Sequence, residues 1–384
     1  MSSNDRVVQA GYQYRHFGGF RLVLAALVML QHFAADLAPE PLARVFAPYA
    51  LGGMGVLVFF AMSGFVITEA VDCVYRKRPG AFLGNRLLRI VPHFVLAVAL
   101  SMLAHEVFRA AGGVRLWRSQ PSFPTDAFAP VNVALNFVGI LPMADRFIDY
   151  NFLDITWAVR VEMAFYLIIG GCVAIGRRLP VAGGFALAAS GALVLLVPLF
   201  VLAVHGRGVA MLSFLPYFAF GSALYFATLG RRSGWLVVAL SVPAILWQCI
   251  AQQSGGATLG AEPSWLSGNL IVLVVLLSIF TALAFVRISQ WRNADRLLGN
   301  LTYPLYLYHE DVLVIVLTFT IGYSYSVLAA AVLLSLLVAI MLTALVDPLV
   351  NQYRDRVRGS ALQRGRRSGL QRPDVVVREA SSAG

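Results

Sequence analysis

Residues 326–346 read SVLAAAVLLSLLVAIMLTALV, a run without a single ionisable side chain. About 20 apolar residues in a helix cross the hydrocarbon core of a bilayer. In that medium a helix meets the hydrogen-bonding need of every backbone N–H and C=O within one segment. The run therefore predicts a transmembrane helix. Similar runs occur at about 21–38, 51–70, 88–108, 156–176, 181–204, 209–229, 234–252, 268–286 and 299–320. Together they predict an all-α, polytopic membrane protein with about ten transmembrane helices. Segment 131–143 is apolar but too short to cross, and is expected to be re-entrant or interfacial within a long outer loop, 109–155.

Composition agrees with this reading. Of the 384 residues, 59% are hydrophobic and 13% charged, against about 25% charged in soluble domains. A disordered chain, a nucleic-acid-binding domain and an ordinary soluble enzyme are excluded on these grounds, despite a net charge of +11. The basic residues sit in short clusters between apolar runs. With the N-terminus inside, 23 of the 30 fall on inner segments, 6 on outer loops, and Arg160 within a span. Cytoplasmic enrichment of Arg and Lys places both termini in the cytoplasm. Residues 1–350 then form the membrane domain, and 351–384 a disordered basic cytoplasmic tail lying against anionic membrane lipid. The first apolar stretch carries His32 and ends in Asp36, so a retained helix is expected rather than a signal peptide. Cys73, Cys172 and Cys249 show no motif spacing, and neither a disulfide nor a metal site is read from them.

Ionisable groups inside spans are costly and mark candidate sites. Arg21 and His32 are eleven residues apart, which puts both on one helix face with a rise of about 16 Å. An anion held at Arg21 could extend an arm as long as pantetheine to His32. The plainer alternatives are a snorkelling arginine and a histidine that hydrogen-bonds a neighbouring helix. Arg86 and Arg89 share a face at the start of a span, next to Arg76, Lys77 and Arg78, and guanidinium forks suit phosphate. Glu162 lies within the fourth span and is expected to orient His32 or meet a hydroxyl; Arg160 is on another face. His309, in the stretch GNLTYPLYLYHED (299–311), is expected at the depth of His32. His32, Glu162 and His309 thus arrive from three helices at one expected depth. Gly52, Gly53, Gly55, Ser63 and Gly64 read as packing positions, with a channel for a thin acyl arm as the alternative.

These stretches resemble the acyltransferase 3 family of membrane O-acyltransferases over nearly the whole chain. The Arg21/His32 pair resembles its R-x10-H pattern, Gly55 to Phe65 its glycine- and phenylalanine-rich stretch, and Arg86 to Pro92 its R-x-x-R-I-x-P. Trp157 to Tyr166, Thr302 to His309 and Asp347-Pro348 are similar to further motifs in the same order. Ala158, Arg160 and Leu57 depart from the family's pattern. The resemblance implies transfer of an acyl group from acyl-CoA, often acetyl-CoA, to a saccharide or lipid-linked glycan hydroxyl. It also implies a bacterial cytoplasmic membrane as the location and no metal cofactor. His32 would be the catalytic base, Glu162 and His309 would position acceptor or base, and Arg21, Arg86 and Arg89 would hold the donor phosphates. The competing reading is a proton-coupled transporter or exporter of a glycan or small acid; no internal repeat supports it.

Overall fold

The computed structural model describes residues 15–46, 49–75, 78–113, 124, 126–179, 184–207, 209–254, 266–286, 290–320 and 323–358. The helices are α1 (Gly18–Asp36), α2 (Glu40–Phe46), α3 (Leu51–Ala70), α4 (Pro79–Ala110), α5 (Pro130–Phe137), α6 (Thr156–Arg178), α7 (Gly184–Val204), α8 (Leu215–Thr228), α9 (Arg232–Ser254), α10 (Leu266–Phe285), α11 (Arg292–Phe319) and α12 (Tyr325–Arg358). A π-turn, Val71–Tyr75, extends α3, and a 3₁₀ turn, Ala210–Phe214, leads into α8. No strand occurs among the described residues.

Among the described residues, nine helices are long and apolar enough to cross a membrane. The tenth expected span is α11, which is long but less apolar. Its middle, 303–311, carries Tyr303, Tyr306, Tyr308, His309, Glu310 and Asp311. This is also the helix at the centre of the fold, packed against α1, α4 and α12. Polar groups that would be costly against lipid are instead enclosed by neighbouring helices.

Helix ends differ from the hydropathy boundaries. α4 begins at Pro79, well before the apolar run at 88, and α12 continues to Arg358. Hydropathy reports where hydrocarbon would begin, whereas a helix continues wherever its ladder remains favourable. Residues 351–358 are therefore helical, a correction to the tail expected from 351; its remainder, 359–384, lies outside the described residues.

Segment 131–143 does not cross. It forms α5 and a run of turns tied to 149–152 by two asparagines. Asn132 Oδ1 accepts from the N–H groups of Asp149 and Tyr150 at 3.0 and 3.2 Å. Asn136 Oδ1 accepts from Phe152 N–H at 3.1 Å. Arg160 reaches from α6 into this loop, donating to Gly139 O at 2.6 Å and Asn151 Oδ1 at 3.2 Å. The extra charge in the fourth span thus holds the loop in place.

Two polar ties fix the opposite end. Asp295 of α11 accepts from the first N–H groups of α1, Gly18 at 3.0 Å and Gly19 at 2.8 Å. This satisfies unpaired donors and complements the helix dipole. Buried Arg15 joins Glu69 at 3.3 Å, Thr228 at 3.1 Å and Ala284 O at 3.1 Å.

The glycines of α3 are packing positions. A β-carbon on Gly55 would stand 3.3 Å from Leu24 O of α1. On Gly64 it would run into Phe218 O, and on Gly221 of α8 into Ala61 O. The α3–α8 contact is thus backbone against backbone from both sides, the use of small residues typical of membrane helices. Gly64→Ala and Gly221→Ala are each expected to destabilise the protein by about 1–3 kcal/mol. Thermal unfolding in detergent should show both losses, while Gly171→Ala, with nothing within 4 Å of the new carbon, should be neutral.

Candidate active site

α1 and α11 bring His32 and His309 together. His309 Nε2 lies 3.3 Å from His32 Nδ1, with ring centroids 5.1 Å apart. Glu310 Oε1 lies 3.5 Å from the same His32 nitrogen. His309 and Glu310 are buried, whereas the His32 side chain is 35% exposed.

The hydrogen bonds assign the tautomers. His309 Nδ1 is 3.1 Å from Leu305 O, a carbonyl that can only accept, so Nδ1 carries the proton and Nε2 a lone pair. His32 Nδ1–H then donates to His309 Nε2. That leaves His32 Nε2 with the free lone pair. A neutral imidazole held in this tautomer can accept a proton, and the Glu310 carboxyl is placed to stabilise the resulting imidazolium.

Glu310 is itself held by the chain before α6. Its carboxyl faces the N–H groups of Asp154 and Ile155, and Tyr306 donates to Ile155 O at 3.3 Å. Burial raises the Asp154 carboxyl above its ordinary range. Glu162 lies seven residues beyond Ile155 on α6, about 10 Å further along the axis. It accepts from Ser63 Oγ at 2.8 Å and from the Tyr166 hydroxyl. Among the described residues it is not joined to His32 or His309. The expectation of one shared depth for His32, Glu162 and His309 is corrected: two helices meet there, and the carboxylate beside His32 is Glu310. Glu162 is within electrostatic range of Arg21 and Tyr303, which line a large cavity at the basic end.

That cavity has a volume of about 650 Å³ and extends as far as Tyr303 and Pro304. Arg21, Arg86 and Arg89 all line it, as do Arg15, Arg292, Arg296 and Arg354, against Asp295, Asp347 and Asp355. Arg86 is 6% exposed, its guanidinium lies over Phe82 and Tyr166, and its Nε has no hydrogen-bond partner among the described residues. A buried donor without a hydrogen-bond partner is costly, and a guanidinium fork facing a cavity is chemically suited to an anion. Arg76 and Lys77 lie outside the described residues.

One polar group here had no role assigned from sequence. His93 of α4 contacts Asp347 Oδ1 of α12 at 3.1 Å through Nε2 and the Tyr308 hydroxyl of α11 at 3.3 Å through Nδ1. It joins three helices at the cavity wall. Asp347 falls in a motif quoted above and His93 directly follows another, but nothing in their spacing pairs them.

No curated protein and no solved structure matches the chain. A family model described as an acyltransferase domain matches residues 16–346. The matched span includes α1 to α11 and most of α12, and it favours the acyltransferase reading over the transport alternative. The chain therefore belongs to the acyltransferase 3 family, and it is a membrane acyltransferase.

Proposed function

We propose that the protein transfers an acyl group, acetyl in the simplest case, from a cytoplasmic acyl-CoA to a hydroxyl of a saccharide or glycolipid acceptor in a bacterial cytoplasmic membrane. The observation that carries this reading is the 3.3 Å contact between His309 Nε2 and His32 Nδ1, on the same helices that bound the arginine-lined cavity. Arg21, Arg86 and Arg89 hold the donor's phosphates at the basic end. The pantetheine arm covers the rise of about 16 Å to His32, passing Glu162.

His32 Nε2 removes the acceptor hydroxyl proton as the oxygen attacks the thioester carbonyl. The new C–O bond forms, the C–S bond breaks, and the proton passes from His32 to the departing thiolate to give the free thiol. His309 keeps the lone pair on Nε2 of His32, and Glu310 balances the transient positive charge. His309→Ala is accordingly expected to lower kcat about 100-fold with little change in the donor KM. His309→Gln, which retains a side-chain acceptor, should recover part of that loss.

Mass spectrometry of envelope glycans and glycolipids, with and without the protein, tests the acceptor class. An acyl group found only in the presence of the protein supports it. An unchanged saccharide profile beside an acylated product of another class overturns it.

A further inference from the structure

We propose that His32, His309 and Glu310 form a binding site for one divalent transition-metal ion, Zn²⁺ foremost, and that its occupancy blocks acyl transfer. The blocking half rests on His32 acting as the base.

The geometry carries the site. One ligand atom from each of the three residues lies within 4.8 Å of the other two. His32 Nδ1 is 3.3 Å from His309 Nε2 and 3.5 Å from Glu310 Oε1. Tetrahedral Zn²⁺ with bonds of about 2.0–2.1 Å sets neighbouring donors about 3.3–3.4 Å apart. Two edges of such a polyhedron are thus already formed. Two imidazoles and one carboxylate are also the donor set that catalytic-type zinc sites use.

The surroundings favour a cation. His309 Nδ1–H is anchored on Leu305 O, the outer hydrogen bond that orients a metal-binding histidine and leaves Nε2 for the ion. Among the described residues His32 is the only ion-pair partner of Glu310. The carboxyls of Asp154 and Asp311 are close enough to interact with Glu310 electrostatically. Among the described residues both Asp311 oxygens are buried without a hydrogen-bond partner, and the Ser101 hydroxyl donates to Phe152 O at 2.6 Å. The 35% exposure of the His32 side chain leaves room for a fourth ligand.

The consequence for transfer follows from imidazole chemistry. A neutral ring coordinated through Nδ1 carries its proton on Nε2. His32 Nε2 then has no lone pair to accept the hydroxyl proton, and the Nδ1–H bond to His309 is replaced by the metal.

The test is direct titration of the full chain in detergent with Co²⁺ as a spectroscopic probe and Zn²⁺ as competitor, followed by transfer assays in chelator-buffered Zn²⁺. One Co²⁺ per chain is expected, with visible bands of a four- or five-coordinate ion that Zn²⁺ abolishes. Glu310→Gln, nearly isosteric, and His309→Ala should each weaken binding about 100-fold or more, and Zn²⁺ should stop wild-type transfer reversibly on chelation. Absence of stoichiometric Co²⁺ binding by wild-type protein, or binding that Glu310→Gln retains in full, overturns the site. Binding without inhibition overturns the block. Because binding is read without turnover, failure of the metal site is distinguishable from failure of His32 as the base, which its own substitution reports.

Discussion

Replacing His32 by alanine lowers the rate of acyl transfer by about 10²–10⁴-fold, the range supplied by a positioned general base. The effect falls on kcat, because His32 does not line the arginine cavity and so contributes little to holding the donor. The fold should survive. Among the described residues His32 makes its polar contacts with His309 and Glu310 alone, and α1 is anchored elsewhere, by Asp295 at its first turn and by glycine-mediated packing against α3. Equal membrane abundance and an unchanged unfolding temperature are therefore expected alongside the loss of activity. His32→Gln keeps a side-chain amide donor toward His309 but has no titratable nitrogen, so it should be as inactive as alanine. A glutamine variant with near wild-type kcat would show that the position serves packing and not proton transfer.

The second large effect concerns the donor. Arg86→Ala combined with Arg89→Ala removes two of the guanidinium groups that line the cavity. Hydrogen bonds to charged groups contribute about 1.5–3 kcal/mol each, so the pair supports an increase in donor KM of about 100-fold or more. The increase should be specific to donors that carry nucleotide phosphates. A truncated thioester such as S-acetylpantetheine should bind wild-type and variant protein alike. Stability should move the other way. Arg86 is buried and its Nε has no hydrogen-bond partner among the described residues, and removing a buried donor left unpaired relieves a desolvation penalty. A variant that is more heat-resistant yet poor in donor binding would fit an anion site maintained at a cost to the empty fold. An unchanged KM for acyl-CoA would remove these arginines from donor binding.

Much of the fold was legible in sequence because the bilayer imposes a length on each apolar run. Runs such as 326–346 and 268–286 need no partner to be recognised, and the failure of 131–143 to cross followed from its length. The Arg21/His32 pair was legible for a similar reason, since eleven residues on one helix fix a face and a rise by geometry alone. Relations between helices were less legible. Glu162 and Glu310 are both acids inside spans, and sequence alone does not say which one faces His32. The choice depends on how far α6 is displaced along α11, which is set by Tyr306 reaching Ile155 O and by loop bonds from Arg160. His93 and Asp347, 254 positions apart, pair for the same kind of reason. The polar middle of α11 carries the centre of the site while making this helix the least apolar of the expected spans.

Transfer from radiolabelled acetyl-CoA in inside-out vesicles, comparing wild-type protein with His32→Ala at matched abundance, tests the central claim most directly. Label should pass to a non-protein acceptor with wild-type protein and remain at background with His32→Ala. Equal incorporation by the two would contradict acyl transfer through the histidine pair of α1 and α11.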